Sequence, residues 1–187
     1  MAAAWPQWMT DSFLAAKRAS HDPSAYNGSY TPLLYHLFGG IEGPFEIIPH
    51  YRIPQIHHNA VDIVAMFTVE HNGHPVLFIQ VHPSSLRSVS ERQQADKQIR
   101  DHFRDLSTNL ITPRLPAICA FGTHIAFYEY TAATNTLTPP AIAPDPIVLN
   151  DVAPAGRWKY NVLKAGGITR MRQVAQDVRA MCGALNY

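Results

Sequence analysis

The sequence predicts one α/β domain whose core has the order α-β-β-β-α-β. The length of 187 residues suits a single domain, and the composition, with 47% hydrophobic and 16% charged residues, is that of a folded globule. Short runs rich in β-branched and aromatic residues alternate with segments whose apolar residues recur at helical spacing. The runs predict strands of a mixed sheet, and the segments between them predict helices that flank it.

The first predicted elements are two helices. Residues 11–20 form a short helix within an N-terminal extension that covers residues 1–25, and residues 21–30 are predicted to be a loop. Residues 31–38 carry leucine and phenylalanine at helical spacing. A threonine-proline pair supplies the cap and first turn of this helix, and a glycine pair ends it.

Three strands and a long helix follow. Residues 45–51, 60–70 and 76–81 are rich in β-branched and aromatic residues, and Asn72-Gly73 predicts a hairpin between the last two. Residues 88–106 contain neither glycine nor proline and have apolar residues along one face. This segment is predicted to be a helix that packs on the sheet.

The last third of the chain adds strands, a strap and a helix. Residues 117–121 and 125–130 flank a turn, and a short strand follows them. Residues 139–154 contain five prolines, which predict an extended strap over the surface. The strap leads to a C-terminal helix over residues 169–185. Residues 139–187 are predicted to pack on the core, so residues 1–187 form a single domain.

Charge and cysteine content limit the classes of function. The 15 basic and 14 acidic residues nearly cancel, so the chain has no global charge that would attract nucleic acid or acidic membranes. Cys119 and Cys182 do not make the disulfide framework of a secreted protein, and both are predicted to be unbonded, with Cys119 buried. No apolar run is long enough for a signal peptide or membrane span. The sequence therefore predicts an intracellular protein of the cytoplasm or nucleus that does not bind a membrane, and leaves its oligomeric state open.

Three strings stand out in this order of elements. They are PVLFIQVHP at residues 75–83, SERQQADKQIR at residues 90–100 and ICAFGTHIAFYEY at residues 118–130. Together they resemble the PD-(D/E)XK nuclease-like superfamily, and more narrowly an uncharacterised fungal subgroup of it. The resemblance covers about residues 26–185 and implies a restriction-endonuclease-like core.

The resemblance also implies a site. In such nucleases two carboxylates on neighbouring strands hold a divalent metal that activates water, and a lysine two residues further on orients the nucleophile. The resemblance places Asp62 at the first acidic position, Gln80 at the second and His82 at the lysine position. This catalytic triplet is degenerate, because Gln80 brings no charge to a metal and His82 is not a fixed cation. Asp62 is the one remaining metal ligand, so no cofactor is expected, and Mg²⁺ or Mn²⁺ is expected if the site is active.

The long helix carries further candidates. The resemblance singles out Arg92 and Gln98, and Gln94 lies one turn before Gln98 on the same side. These side chains are positioned to contact a phosphate or another ligand in the cleft. The alternative is that they cap and solvate an amphipathic helix.

The hairpin register decides whether this site can exist. If Asn72-Gly73 closes a regular two-residue hairpin, Asp62 faces away from Gln80 and His82. A three-residue loop from His71 to Gly73 instead pairs Asp62 with His82 and places Gln80 beside Val64. The site requires this second register or another bulge.

Other chemistries are less well supported by the sequence. His57-His58, with Asp62 and His82, suggests a zinc-like site, but adjacent histidines on an extended chain point in different directions. Tyr128, Tyr130 and Trp158 are predicted to pack in the core and under the strap rather than to stack on bases.

Three functions remain, in order of preference. The first is a degenerate nuclease-like domain that binds nucleic acid or protein without catalysis. The second is an active, metal-dependent phosphodiesterase with an Asp62, Gln80 and His82 site. The third is a structural or interaction protein in which the fold is incidental.

Overall fold

The structure, a computed structural model, describes residues 4–19, 22–40, 42–51, 65–84, 88–148 and 150–185. These residues contain four α-helices and seven β-strands. In chain order they are α1 (Gln7–Arg18), α2 (Asn27–Phe38), β1 (Phe45–Tyr51), β2 (Ala65–His71), β3 (His74–His82), α3 (Val89–Leu106), β4 (Arg114–Phe121), β5 (His124–Thr131), β6 (Thr136–Thr138), β7 (Tyr160–Asn161) and α4 (Ala165–Gly183). The fold is mixed α/β, as the sequence predicts.

One open sheet contains all seven strands. Its order is β1-β2-β3-β4-β5-β6, and β7 pairs with β5. Every pair of neighbours is antiparallel except β3 and β4, which are parallel and are joined through α3. A parallel pair requires a crossover connection of this kind, because a tight turn can join only antiparallel strands. The elements α2 to β4 therefore follow the predicted order α-β-β-β-α-β.

Helices cover both faces of the sheet. One face packs against α1, α2 and α4 in the larger core cluster, to which Trp5, Met9 and Phe13 of the N-terminal extension also belong. On the other face Ala95, Ile99 and Phe103 of α3 join a second apolar cluster. Alternation along each strand sends successive side chains to opposite clusters, which sets the face on which each polar side chain of β3 lies.

The β2–β3 hairpin combines a two-residue turn with a bulge. Asn72 and Gly73 both have positive φ, 52° and 75°, as a type I′ turn requires. Glu70 pairs with Pro75, but Val69 pairs with Leu77, so β3 has one extra residue at this point. The bulge alternative is confirmed, and the three-residue loop is wrong.

This bulge fixes the faces of β2 and β3. It places Met66 opposite Gln80, in place of the Val64 that the three-residue loop predicted. The face of these two strands opposite Gln80 is apolar and lies in the larger cluster, where its members include Ala65, Phe67, Leu77, Ile79 and Val81. Burying them contributes on the order of 10 kcal/mol, which strongly favours this register over a shift by one residue.

The helix bounds require three corrections. Helix α1 spans Gln7–Arg18, whereas residues 11–20 were predicted. The predicted loop is wrong over residues 23–30, because Pro23–Tyr26 is a 3-10 turn and α2 begins at Asn27. Helix α4 spans Ala165–Gly183 and so begins four residues before the predicted start.

The strap and the cysteines agree with the sequence analysis. The described residues between 139 and 154 contain no helix or strand, and most of their side chains are exposed. Cys119 and Cys182 are both unbonded and buried. No helix in the described part of the chain is both long and apolar enough to cross a membrane.

Candidate functional site

Gln80 is the centre of a polar cluster buried between β3 and α3. Its side chain is fully buried on the face that α3 covers. Its Nε2 donates to Gln98 Oε1 at 3.0 Å and lies 2.5 Å from His82 Nε2, while its Oε1 lies 3.2 Å from His102 Nδ1. The amide nitrogen can only donate and its oxygen can only accept. His82 Nε2 is therefore the unprotonated acceptor, and His102 Nδ1 carries the hydrogen.

His82 is held as a neutral ring. Burial, followed by repulsion from His102, lowers the pKa of His82 from 6.5 to about 4. The ring also lies against Phe121, with 5.1 Å between ring centroids. His82 therefore carries no charge near pH 7, and it does not provide the cation that a lysine would provide at this position.

Helix α3 positions the two partners above the strand. Ser88 caps this helix, and Glu91 completes a capping box with it, which fixes the first turn. Gln98 and His102 are four residues apart and so project from one face of the helix towards Gln80. Sequence reasoning identified Gln98 but missed His102, although the same four-residue spacing continues from Gln94 through Gln98 to His102.

The other candidates on α3 have different positions. The Arg92 guanidinium contacts the strap, since its Nε donates to Ala153 O at 2.9 Å and its Nη2 pairs with Asp151 at 2.5 Å. Gln94 is half-buried one turn before Gln98. Of the predicted site residues, the structure thus joins Gln80, His82 and Gln98 directly. Asp62, His57 and His58 lie outside the described residues.

A second polar cluster surrounds Asp96 on α3. Its carboxylate accepts hydrogen bonds from Arg100 Nε at 2.8 Å, from Tyr128 OH at 2.7 Å and from Arg157 Nη1. Burial raises the pKa of Tyr128, which keeps its hydroxyl protonated and donating. The two arginines also donate to the carbonyls of Pro139 and Pro140. This cluster joins α3 to β5 and to the start of the strap.

The polar cluster around Gln80 does not suit Mg²⁺ or Mn²⁺. Mg²⁺ and Mn²⁺ prefer carboxylate oxygens, whereas the cluster around Gln80 has two amides and two imidazoles. The Gln80 carbonyl already accepts a hydrogen bond, and the unprotonated nitrogen of His82 is occupied by the Gln80 amide. Among the described residues, no group of three or more His, Cys, Asp or Glu side chains is placed to hold a metal ion.

No protein-family model matches the chain, and no curated protein matches it significantly.

Proposed function

We propose that the chain is a degenerate PD-(D/E)XK nuclease-like domain that binds nucleic acid or protein without cleaving it. The order of elements from α2 to β4 and the crossover through α3 are compatible with a restriction-endonuclease-like core. Gln80 and His82 stand two residues apart on one face of β3, as the acidic residue and the lysine do in an active nuclease. The proposal combines this resemblance with the altered chemistry of the two positions.

The observation that carries the proposal is the hydrogen bonding of Gln80. A metal ligand at this position would have to present a free oxygen towards the metal, and a negatively charged oxygen would bind it more strongly. Gln80 instead spends both amide hydrogens and its oxygen on His82, Gln98 and His102. A neutral, buried network of this kind stabilises the contact between β3 and α3, because each polar group has a partner.

The first prediction tests catalysis in the wild-type protein. With Mg²⁺ or Mn²⁺, cleavage of single-stranded DNA, double-stranded DNA and RNA should stay at the level of a metal-free control, because position 80 offers no charge to a metal. Labelled substrates resolved on denaturing gels measure this. Strong cleavage that disappears in Asp62→Ala would instead identify an active nuclease with an Asp62, Gln80 and His82 site.

Restoring the missing groups provides the complementary measurement. The double variant Gln80→Glu with His82→Lys should bind Mn²⁺ about tenfold more tightly than wild type, since Gln80→Glu returns one carboxylate to the metal position. His82→Lys returns the cation that would face a phosphate. Calorimetry measures the affinity, and circular dichroism checks the fold. The matched control Gln173→Lys with Gln176→Glu places the same residue types on the exposed face of α4, with the lysine rather than the glutamate beside Asp177, and should leave the affinity unchanged. A folded double variant with wild-type affinity would contradict the argument that these two positions limit metal binding.

A further inference from the structure

The chain has one long stretch of uncompensated positive charge. Residues 152–176 contain five lysines and arginines and no acidic residue, although the whole chain has 15 basic and 14 acidic residues. The stretch covers the strand β7 and most of α4. Helix α4 also lacks an acidic residue in its first turn, so the positive end of its dipole adds to the same sign of charge.

Three of these cations project into solvent. Lys159, Lys164 and Arg170 are exposed and belong to no ion pair within the described residues. Arg157, by contrast, pairs with Asp96, and Arg172 lies 4.7 Å from the centre of the Trp5 ring. All four cations of α3 are paired as well: Arg92, Lys97, Arg100 and Arg104. The β7–α4 side therefore carries more unpaired positive charge than α3 does.

Two aromatic rings lie among these cations. Lys159 Nζ lies 5.4 Å from the centre of the Tyr160 ring, and Arg170 lies 5.5 Å from the centre of the Phe127 ring. The two rings contact each other edge to face, with 5.4 Å between their centroids. Both are only partly buried. We call Lys159, Tyr160, Lys164, Phe127 and Arg170 the basic–aromatic face.

We propose that the basic–aromatic face binds single-stranded nucleic acid, with the three cations contacting phosphates and Tyr160 stacking on a base. Cations that follow the backbone, interleaved with rings that accept any base, are the means by which proteins bind single strands without sequence preference. Lys159 can move from the Tyr160 ring to a phosphate at little cost, because an exposed cation–π contact is weak. Asp177 ends the cationic stretch on α4 and limits the length of the track.

The composition of the face favours this partner over other polyanions. An acidic peptide or a polyphosphate would use the cations but would leave the rings without a role. The face lies on the side of the sheet that packs against α1, α2 and α4, whereas Gln80 and His82 lie under α3. Nucleic-acid binding, one of the two kinds of binding proposed above, is thus assigned to a surface separate from Gln80 and His82, and this assignment does not depend on descent from a nuclease.

The test compares two triple variants, each of which removes three positive charges from a different surface. Fluorescence anisotropy with labelled oligothymidine and oligouridine of about 20 nucleotides measures the affinity at several salt concentrations. The variant Lys159→Gln, Lys164→Gln, Arg170→Gln should bind at least tenfold more weakly. A plot of log affinity against log salt concentration should also become less steep by about 2, because each of the three lost phosphate contacts contributes about 0.7 to the slope. The control Lys17→Gln, Lys97→Gln, Arg104→Gln removes the same charge from exposed positions on α1 and α3 and should stay within about twofold of wild type.

A single substitution tests the role of the ring. Tyr160→Leu should weaken binding of the oligonucleotides about fivefold or more but leave binding of inorganic polyphosphate unchanged, because only a base can stack. No binding by wild type at micromolar concentrations would overturn the proposal, and so would equal losses in the two triple variants. Equal effects of Tyr160→Leu on oligonucleotide and polyphosphate would show a general polyanion site and would also overturn it.

Discussion

Replacing Asp96 with alanine is expected to lower the free energy of unfolding by about 3–5 kcal/mol, the usual cost of removing one partner of a buried ion pair. The side chain of Asp96 is 10% exposed, and that of Arg157 is 9% exposed. Without the carboxylate, two guanidinium groups and the Tyr128 hydroxyl lose their shared acceptor. Their remaining carbonyl partners, Pro139 and Pro140, carry no charge to balance the arginines.

A matched control lies on the same helix. Asp101 pairs with Lys97 and Arg104, whose side chains are 78% and 77% exposed. Because water and salt screen such pairs, Asp101→Ala should cost less than about 1 kcal/mol. Urea unfolding of both variants at pH 7 measures the difference. Similar losses for the two aspartates would contradict the view that Asp96 balances a buried charge cluster.

The same substitution should affect the strap. Arg100 and Arg157 bond both to Asp96 and to carbonyls at the start of the strap, so the carboxylate holds the guanidinium groups where the strap needs them. In Asp96→Ala we expect faster proteolysis between residues 139 and 154 than in Asp101→Ala. The strap is therefore fixed by charged side chains beneath it rather than by a regular backbone ladder.

The sequence predicted α3 almost completely because its signals are local. The absence of glycine and proline and the apolar spacing are both properties of the segment itself, and the helix begins at Val89, one residue after the predicted start at residue 88. The hairpin was predictable only in part. Asn72-Gly73 specifies the turn locally, whereas the bulge after Pro75 depends on which residues the two cores bury.

Two of the three misplaced helix starts, those of α2 and α4, have tertiary causes. Pro32 lies inside α2, where it cannot donate to the carbonyl of Gly28, and that carbonyl instead accepts from Ser12 Oγ of α1 at 3.1 Å. Gly167 lies inside α4, where a side-chain carbon would come within 1.9 Å of the Asn161 carbonyl oxygen. From the sequence alone, the threonine-proline pair predicts the start of the first of these helices, and the second is predicted to begin only after Gly167. In each case a contact with another segment makes the residue compatible with the helix.

The candidate site likewise has features that the sequence predicts and features that depend on tertiary contacts. Gln80, His82 and Gln98 were predicted to belong to one site, and their contact in the structure is consistent with strand parity and helix spacing. The sequence did not predict that the Gln80 amide would be satisfied internally. That property depends on His102, whose Nδ1 lies 3.2 Å from Gln80 Oε1. The nuclease-like sequence strings assign no role to His102, so they did not indicate this contact.

The second large effect expected is a loss of stability in acid caused by His82. Its pKa falls from 6.5 to about 4 on folding, chiefly through burial. The unfolded chain therefore binds more protons than the folded chain between these values, so stability decreases as pH falls through this range. At 1.36 kcal/mol for each pKa unit, the loss approaches about 3 kcal/mol at pH 4.

The geometry around His82 explains why stability should decrease, rather than increase, in acid. Protonating His82 would place a ring N–H against the Gln80 amide nitrogen, which is itself a donor, at the present separation of 2.5 Å. The cluster would then have to open, and Gln80 would lose partners in a fully buried position. Acid should therefore act on the contact between β3 and α3 before it acts on the apolar face of the sheet.

The variant His82→Gln isolates this contribution, because its amide can accept from Gln80 but cannot titrate. The difference in unfolding free energy between wild type and His82→Gln should be constant from pH 8 to about pH 7 and should then shift by about 3 kcal/mol in favour of the variant by pH 4. Chemical denaturation at closely spaced pH values measures this difference. Titration of the Asp and Glu residues affects both proteins equally and therefore cancels in the difference. A difference that stays flat down to pH 4 would mean that His82 is protonated in the folded protein as readily as in the unfolded chain. Position 82 would then be able to carry a cation, and the argument that it cannot replace a catalytic lysine would fail.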